Sequence, residues 1–347
     1  SADAWRSFAF IVLVAGVLWA YLKGHLKQVA LATGLVAALV AMDLMVVDLR
    51  ILSPEDYVEP RSMSQQEAPR PADVYLDQFQ QDGGYFRVLP LSRNTFNDGS
   101  TIQLLHSVGG YHPAKLKRYQ QLIAAHLGKV QPNVVNMLNT EFFIVQSKRR
   151  AQLDRVPYLE HVHTTQDGET IYRNLQNYGT AWIVQDVRVQ PRPDDVLMSL
   201  DTVNSRQVAM VEAKQRDVLG DFSTDSVDRA RESVALIDHD NREVIYKYNS
   251  PKPRFVTFSE VYYPHGWHAT IDGKEAPILQ TNYVLRGLVV PAGEHTIRFR
   301  FDPEIVETSS TIAYISSALL LLMMGGAIFW QIRRRGQDDP DAPEADS

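Results

Sequence analysis

The stretch of this sequence with most chemistry to offer is Gly109-Gly110-Tyr111-His112-Pro113, followed at once by Lys115, Lys117 and Arg118. Proline is favoured in the first turn of a helix, so Pro113 predicts a helix start, with Leu116, Tyr119, Ile123 and Leu127 on one face and Gly128 ending it. Unsatisfied N–H groups at a helix start attract anions, and neighbouring cations would strengthen a contact to a phosphate or an acidic sugar. Tyr111 offers a ring face for stacking on a sugar. Tyr111, His112, Lys115 and Arg118 are therefore the candidate substrate-binding residues. The competing reading is a plain turn, a helix start and a solvated basic face, because basic first turns occur on surfaces despite opposing the helix dipole.

Other residues carry a weaker chemical message. Trp267 in YYPHGWHATIDG could be a carbohydrate platform, since aromatic rings present a flat apolar face with polar edges. Its alternation with Ala269 and Ile271 instead predicts a core position on one strand face. Tyr262, Tyr263 and Tyr283 are more open candidates. His161 and His163 would share a strand face and could ligate a metal if a third ligand came near, but His-x-His alone does not define a metal site. Asp238-His239-Asp240 reads as a turn before the strand REVIYKY. Asp43 falls inside an apolar run, where a carboxylate either reaches headgroup water or faces a neighbouring helix. There is no Gly-x-Ser-x-Gly elbow, Walker loop or His-Glu-x-x-His helix. No catalytic residue and no metal ligand is assigned.

The elements that must hold these residues include three membrane-length apolar runs: Phe8 to Leu22, Gln28 to Val47 and Ser309 to Gln331. Each approaches the roughly 20 residues that span a bilayer core as a helix. A secretory signal peptide is the alternative for the first, but a second run follows at once without a small-residue cleavage site between them. Lys23 and Lys27 sit in the first link, and Arg333, Arg334 and Arg335 follow the third run. Such basic flanks mark the cytoplasmic side, which puts the intervening segment outside. The chain opens on Ser1 rather than Met, so further membrane helices upstream are expected.

Composition narrows the rest. The roughly 250 residues between the membrane runs suffice for one or two domains. No cysteine is present, which excludes disulfides and thiolate metal sites. The formal charge is -6, but Asp338, Asp339, Asp341, Glu344 and Asp346 crowd the end, and without them it is -1. The outer segment is thus nearly balanced and has no field suited to nucleic acid.

The resulting expectation is a membrane-anchored α+β protein: three transmembrane helices flanking an extracytoplasmic α+β domain that ends in an antiparallel β-sandwich. Residues 8–47 hold two transmembrane helices, and 48–72 form a Pro-, Gln- and Glu-rich linker. Residues 73–232 form the α+β region, 233–306 the β-sandwich, 309–331 the last transmembrane helix and 332–347 a disordered cytoplasmic tail. Within the sandwich, Ile297, Phe299 and Phe301 alternate with polar residues as a half-buried strand requires. Asp272-Gly273 predicts a two-residue hairpin and Pro291-Ala292-Gly293 a second turn.

Phe258 to Pro303, FSEVYYPHGWHATIDGKEAPILQTNYVLRGLVVPAGEHTIRFRFDP, resembles the closing domain of the YfhO family of bacterial polytopic membrane proteins. SVGGYHPAKLKRYQ at Ser107 to Gln120, NMLNTEFFIV at Asn136 to Val145 and NYGTAWIV at Asn177 to Val184 resemble the same family. The resemblance implies a GT-C-type glycosyltransferase that takes sugar from a polyprenyl-phosphate donor. Its catalytic carboxylate would lie on a first outer loop, in an amino-terminal helix bundle outside this sequence. The chain would then be the outer domain and last helices of such an enzyme, inactive by itself and resident in the bacterial inner membrane. It would have no cofactor of its own. Its implied partners are membrane lipid, a lipid-linked sugar or glycan acceptor and the upstream helices, and no nucleic acid. A non-enzymatic carbohydrate-binding or scaffolding envelope protein is the alternative.

Overall fold

A computed structural model describes residues 2–51 and 69–335. The chain divides into two compact units, Ser1–Ala68 and Pro69–Ser347. In the first, helix α1 (Ala2–Leu22) and helix α2 (Val29–Ile51) form a hairpin. Both are long and apolar enough to cross a membrane, over Ala4–Leu22 and Val29–Leu49, and their apolar side chains are exposed rather than packed inward. The first span is therefore longer than the run from Phe8 suggests. Arg6, which looks like the end of the apolar run, pairs with Asp43 of α2 (Nε to Oδ1, 3.2 Å). Pairing lowers the cost of holding either charge at membrane depth.

The second unit begins with α3 (Pro71–Gln81), so the segment expected as a linker over 48–72 is helical at both ends, while 52–68 lie outside the described residues. α3 packs on a four-stranded sheet A of order β1-β2-β4-β3, built from β1 (Arg87–Pro90), β2 (Thr140–Gln146), β3 (Leu159–Thr164) and β4 (Glu169–Asn174). Helices α4 (Lys117–Ala125) and α5 (Pro132–Met137) cover its other face. α4 starts later than Pro113 because the His112 ring accepts the Ala114 N–H (3.1 Å) and Leu116 is extended. A local side-chain turn there competes with the first helical turn.

Sheet B has the order β5-β10-β14-β13-β7-β6, from β5 (Ala181–Val184), β6 (Asp186–Gln190), β7 (Val208–Glu212), β10 (Arg254–Val261), β13 (Leu279–Thr281) and β14 (Leu285–Val290). Sheet C, of order β12-β11-β15-β9-β8, is wholly antiparallel and comprises β8 (Ser233–His239), β9 (Glu243–Ser250), β11 (Trp267–Ile271), β12 (Lys274–Ala276) and β15 (Gly293–Phe301). The strands of 233–306 thus do not close on themselves. Those of β10, β13 and β14 join a sheet begun upstream of residue 232.

Phe255 faces one buried cluster, shared with α4, α5 and α6 (Pro193–Ser199), while Val256 and Phe258 face a second, shared with Tyr246, Tyr248, Ile297 and Phe299 of sheet C. With both faces covered, β10 is buried without a break from Arg254 to Ser259, its polar Arg254, Thr257 and Ser259 included. β15 has one wet face, so Ile297 and Phe299 are buried while Thr296, Arg298 and Arg300 are exposed. The β11–β12 turn takes positive φ at Asp272 (51°) and Gly273 (80°), as a two-residue hairpin demands. After β15, α7 (Glu304–Arg335) is membrane-length and apolar over Thr308–Ala327. The helix includes residues 332–335, which the sequence assigns to a tail, and 336–347 lie outside the described residues.

Candidate functional site

The three sheets meet around Tyr85 and Arg87, at the start of β1. Arg87 donates to Ser259 Oγ of β10 (2.9 Å) and to the Leu138 carbonyl after α5 (3.1 Å), and pairs with Glu260 of β10 (3.0 Å). Glu260 is turned to this position by a bulge in the pairing of β10 with β14, between Phe258 and Val261. The Tyr85 hydroxyl also donates to Glu260 (3.1 Å). Sheet C contributes His239, the last residue of β8, whose ring lies against Tyr85 at 3.9 Å between centroids. His106 stands edge-on to Tyr85 (5.0 Å) and to His239 (5.7 Å). His106 is held by its own carbonyl, which accepts the Val88 N–H of β1 (2.8 Å).

These side chains, with Trp267 of β11, line a hollow of about 370 Å³. Burial holds both His106 and His239 below the ordinary imidazole range, helped by the Arg87 cation and, at His239, against the opposing Glu260 carboxylate, so both rings are mainly neutral at pH 7. Burial and the Glu260 charge outweigh the Arg87 cation at Tyr85 and raise its phenol, which stays a neutral donor. Burial would lower Arg87, but the Glu260 carboxylate overrides it and the guanidinium stays charged. Beneath Trp267 lies Arg286, only 3% exposed, with its guanidinium carbon 3.9 Å from a Trp267 ring centroid. Its Nη1 is buried without a hydrogen-bond partner. Burial depresses its pKa, which fits a cation held by an aromatic face and the Val261 carbonyl (3.1 Å) rather than by water.

Arg87, Ile102 and Ser107 also line a neighbouring hollow of about 450 Å³, whose far wall is Gly110, Tyr111, His112 and Lys115. Trp267 in turn borders a third hollow, about 500 Å³, with Tyr262, Tyr263, His268 and Glu275. The first two hollows share Arg87, Ile102 and Ser107 and the third adjoins the first at Trp267; together these adjoining hollows make up the candidate cleft. Its groups are flat aromatic faces, neutral imidazoles that both donate and accept, and a carboxylate already held by two donors. Such a set offers stacking faces together with hydrogen-bond donors and acceptors.

The sequence-derived candidates are only partly brought together. Tyr111 (59% exposed) and His112 stand open on the cleft wall. Lys115 shares that wall, but its ammonium is engaged by the Phe96 (3.2 Å) and Gly110 (3.3 Å) carbonyls. Arg118 is not in the cleft: it forms an ion pair with Glu212 and lies over the Tyr283 ring (5.0 Å). Tyr283 is buried, not open, and donates to Gln121 (2.9 Å). Trp267 is half-buried, between core and platform, against Phe301 (5.2 Å).

His161 and His163 do not share a strand face. A bulge between them in the pairing with β4 breaks the alternation, so His163 stacks on Tyr75 of α3 (4.2 Å) while His161 meets Tyr172 on the other side (5.8 Å). No group of three metal-ligating side chains occurs among the described residues. Asp240 makes the expected turn by accepting the Arg242 and Glu243 N–H groups (2.6 Å each). The neighbouring Asp238 and His239, read from the sequence as part of that turn, instead end strand β8, and His239 lines the central hollow. Its partners Tyr85, Arg87, His106 and Glu260 are scattered along the chain, and no local spacing links them.

Comparison with curated proteins returns no match, and neither does comparison with solved structures. The family model described as "Bacterial membrane protein YfhO" matches residues 205–313, a stretch that carries His239, Glu260 and Trp267 and ends inside α7.

Proposed function

We propose that this chain is the outer domain and last membrane helices of a polytopic GT-C-type glycosyltransferase, and that the cleft from Tyr111 to Trp267 handles the sugar of a polyprenyl-phosphate donor or of the glycan acceptor. The observation that carries the reading is the cleft itself, in which Tyr85, His106, His239 and Trp267 offer ring faces and neutral polar edges beside the Arg87–Glu260 pair. The similarity over 205–313 and the three membrane-length helices support a membrane enzyme of that kind. In this reading the domain faces the outside of the bacterial inner membrane. Tyr111, His112 and Lys115 contact the substrate, and the catalytic carboxylate belongs to helices outside this sequence.

One observation favours the non-enzymatic alternative. Glu260 is held by Arg87 and Tyr85, and Asp240 by two backbone N–H groups, so both carboxylates lining the central hollow are engaged. A binding module needs no other.

The test is transfer from a polyprenyl-phosphate sugar by the full-length protein in liposomes, with donor binding measured in parallel. His239→Ala and Trp267→Ala are expected to weaken sugar binding at least about tenfold, equivalent to about 1.4 kcal/mol. Lost binding without any transfer in the parent protein selects the binding module. Unchanged binding in both variants overturns the assignment of the cleft.

A further inference from the structure

The position of the third hollow relative to the membrane follows from chain geometry. β15 ends at Phe301, α7 begins at Glu304 and its membrane-length apolar stretch begins at Thr308. Thr308 follows Asp302 by six positions, a rise of about 9 Å if helical. The loop Tyr262–Trp267 is fastened to this junction. The Asp302 N–H donates to the Gly266 carbonyl (2.6 Å), and Trp267 pairs with Phe301 both in the ladder and ring to ring (5.2 Å). At Gly266 the approach is so close that a Cβ would stand 2.8 Å from Pro303 Cβ. The loop therefore cannot leave the point where the chain enters the membrane.

Its composition suits that place. Tyr263, Pro264 and His265 are exposed, Tyr262 and Trp267 are half-buried, and the Tyr263 and His265 rings meet edge-on (5.5 Å). Tyr and Trp concentrate at the membrane–water boundary because their apolar bodies and polar tips are both satisfied there. We propose that the Tyr262–Trp267 loop is an interfacial anchor seated among phospholipid headgroups, so that the hollow under Tyr262, Tyr263 and Trp267 opens at headgroup depth. A ligand carried on a membrane lipid can then enter this end of the cleft without leaving the bilayer. The anchor rests on α7 crossing a membrane and does not depend on the sugar reading. The opposite end of β15, at the Pro291–Gly293 turn, stands roughly 27 Å further along the strand.

The absence of cysteine makes the test direct. Tyr263→Cys and, separately, His265→Cys are labelled with a nitroxide in the full chain, reconstituted in phosphatidylcholine–phosphatidylglycerol vesicles, with Ala292→Cys as the distal reference. Collision with oxygen is compared with collision with a water-soluble nickel chelate. The expected result is an oxygen-to-nickel ratio several-fold higher at 263 and 265 than at 292. Two exposed loop positions guard against a local effect of either substitution, and circular dichroism establishes that each labelled chain is folded. Equal nickel access at 263, 265 and 292 overturns the proposal. Shielding of 263 and 265 from both reagents also overturns it, because it means a protein surface covers the loop instead of lipid.

Discussion

Glu232 shows how a single charged residue decides the architecture around it. It accepts two hydrogen bonds from Arg254 (2.7 Å each), one from Ser250 (2.6 Å) and the Asp228 N–H (2.9 Å), while Arg254, 1% exposed, also donates to the Ser223 (3.2 Å) and Ser226 (3.1 Å) carbonyls. The pair thereby ties the 223–232 connection to β10. Burial pushes the Glu232 carboxyl up, but the Arg254 and Ser250 hydrogen bonds and the Asp228 N–H overcome it and hold its pKa down at about 2, against 4.5 for an ordinary glutamate. The folded value lies below the unfolded one, so this contribution is fully present above about pH 4.5 and is lost as pH falls toward about 2. Urea titrations followed by tryptophan fluorescence should show stability declining through that window. Glu232→Gln should flatten the decline and lower stability at neutral pH by about 3–5 kcal/mol, since it leaves Arg254 buried and unpaired.

At the level of elements, the cleft depends on connections as much as on strands. The 94–110 loop is pinned where the Gly110 N–H meets the Thr95 carbonyl (2.7 Å), with Gly110 at φ 97°. Gly109 packs so closely that a Cβ would fall 2.1 Å from that same carbonyl oxygen. Both glycines of the motif are thus required by packing and backbone shape, and the chemistry resides in the residues after them. Gly109→Ala should displace the loop and cost about 1–3 kcal/mol, read as a lowered thermal unfolding midpoint. The strands themselves were readable where one face is wet, as in β15, and at the Asp272-Gly273 turn. The division of β8 to β15 between two sheets was not, because the local pattern of a strand does not specify which neighbour it pairs with.

For the whole molecule, the two apolar helices of the hairpin and α7 set the boundary conditions. In the proposed orientation the Lys23–Lys27 link and the arginines at the end of α7 lie on the cytoplasmic side, where cations are in excess. Lys274→Cys, in the exposed β11–β12 hairpin, should therefore react with a membrane-impermeant maleimide on intact cells, and Lys23→Cys only after permeabilisation. Reaction of Lys23→Cys first would reverse the orientation and remove the cleft from the compartment in which the proposed donor is used.

Read without its fold, the chain already determines three membrane-length spans, a basic link and a basic end, the strand β15 and one two-residue turn. All of these are written in contiguous residues, through hydropathy, alternation and the backbone preferences of Gly and Pro. Only tertiary structure decides that Arg6 sits inside its span against Asp43, that Arg118 turns to Glu212 and that His239 joins Tyr85, Arg87, His106 and Glu260. Those partners are chosen by how sheets and helices pack across long chain separations. A charged or aromatic side chain acquires its role from the neighbour it meets there, and no local period records that neighbour.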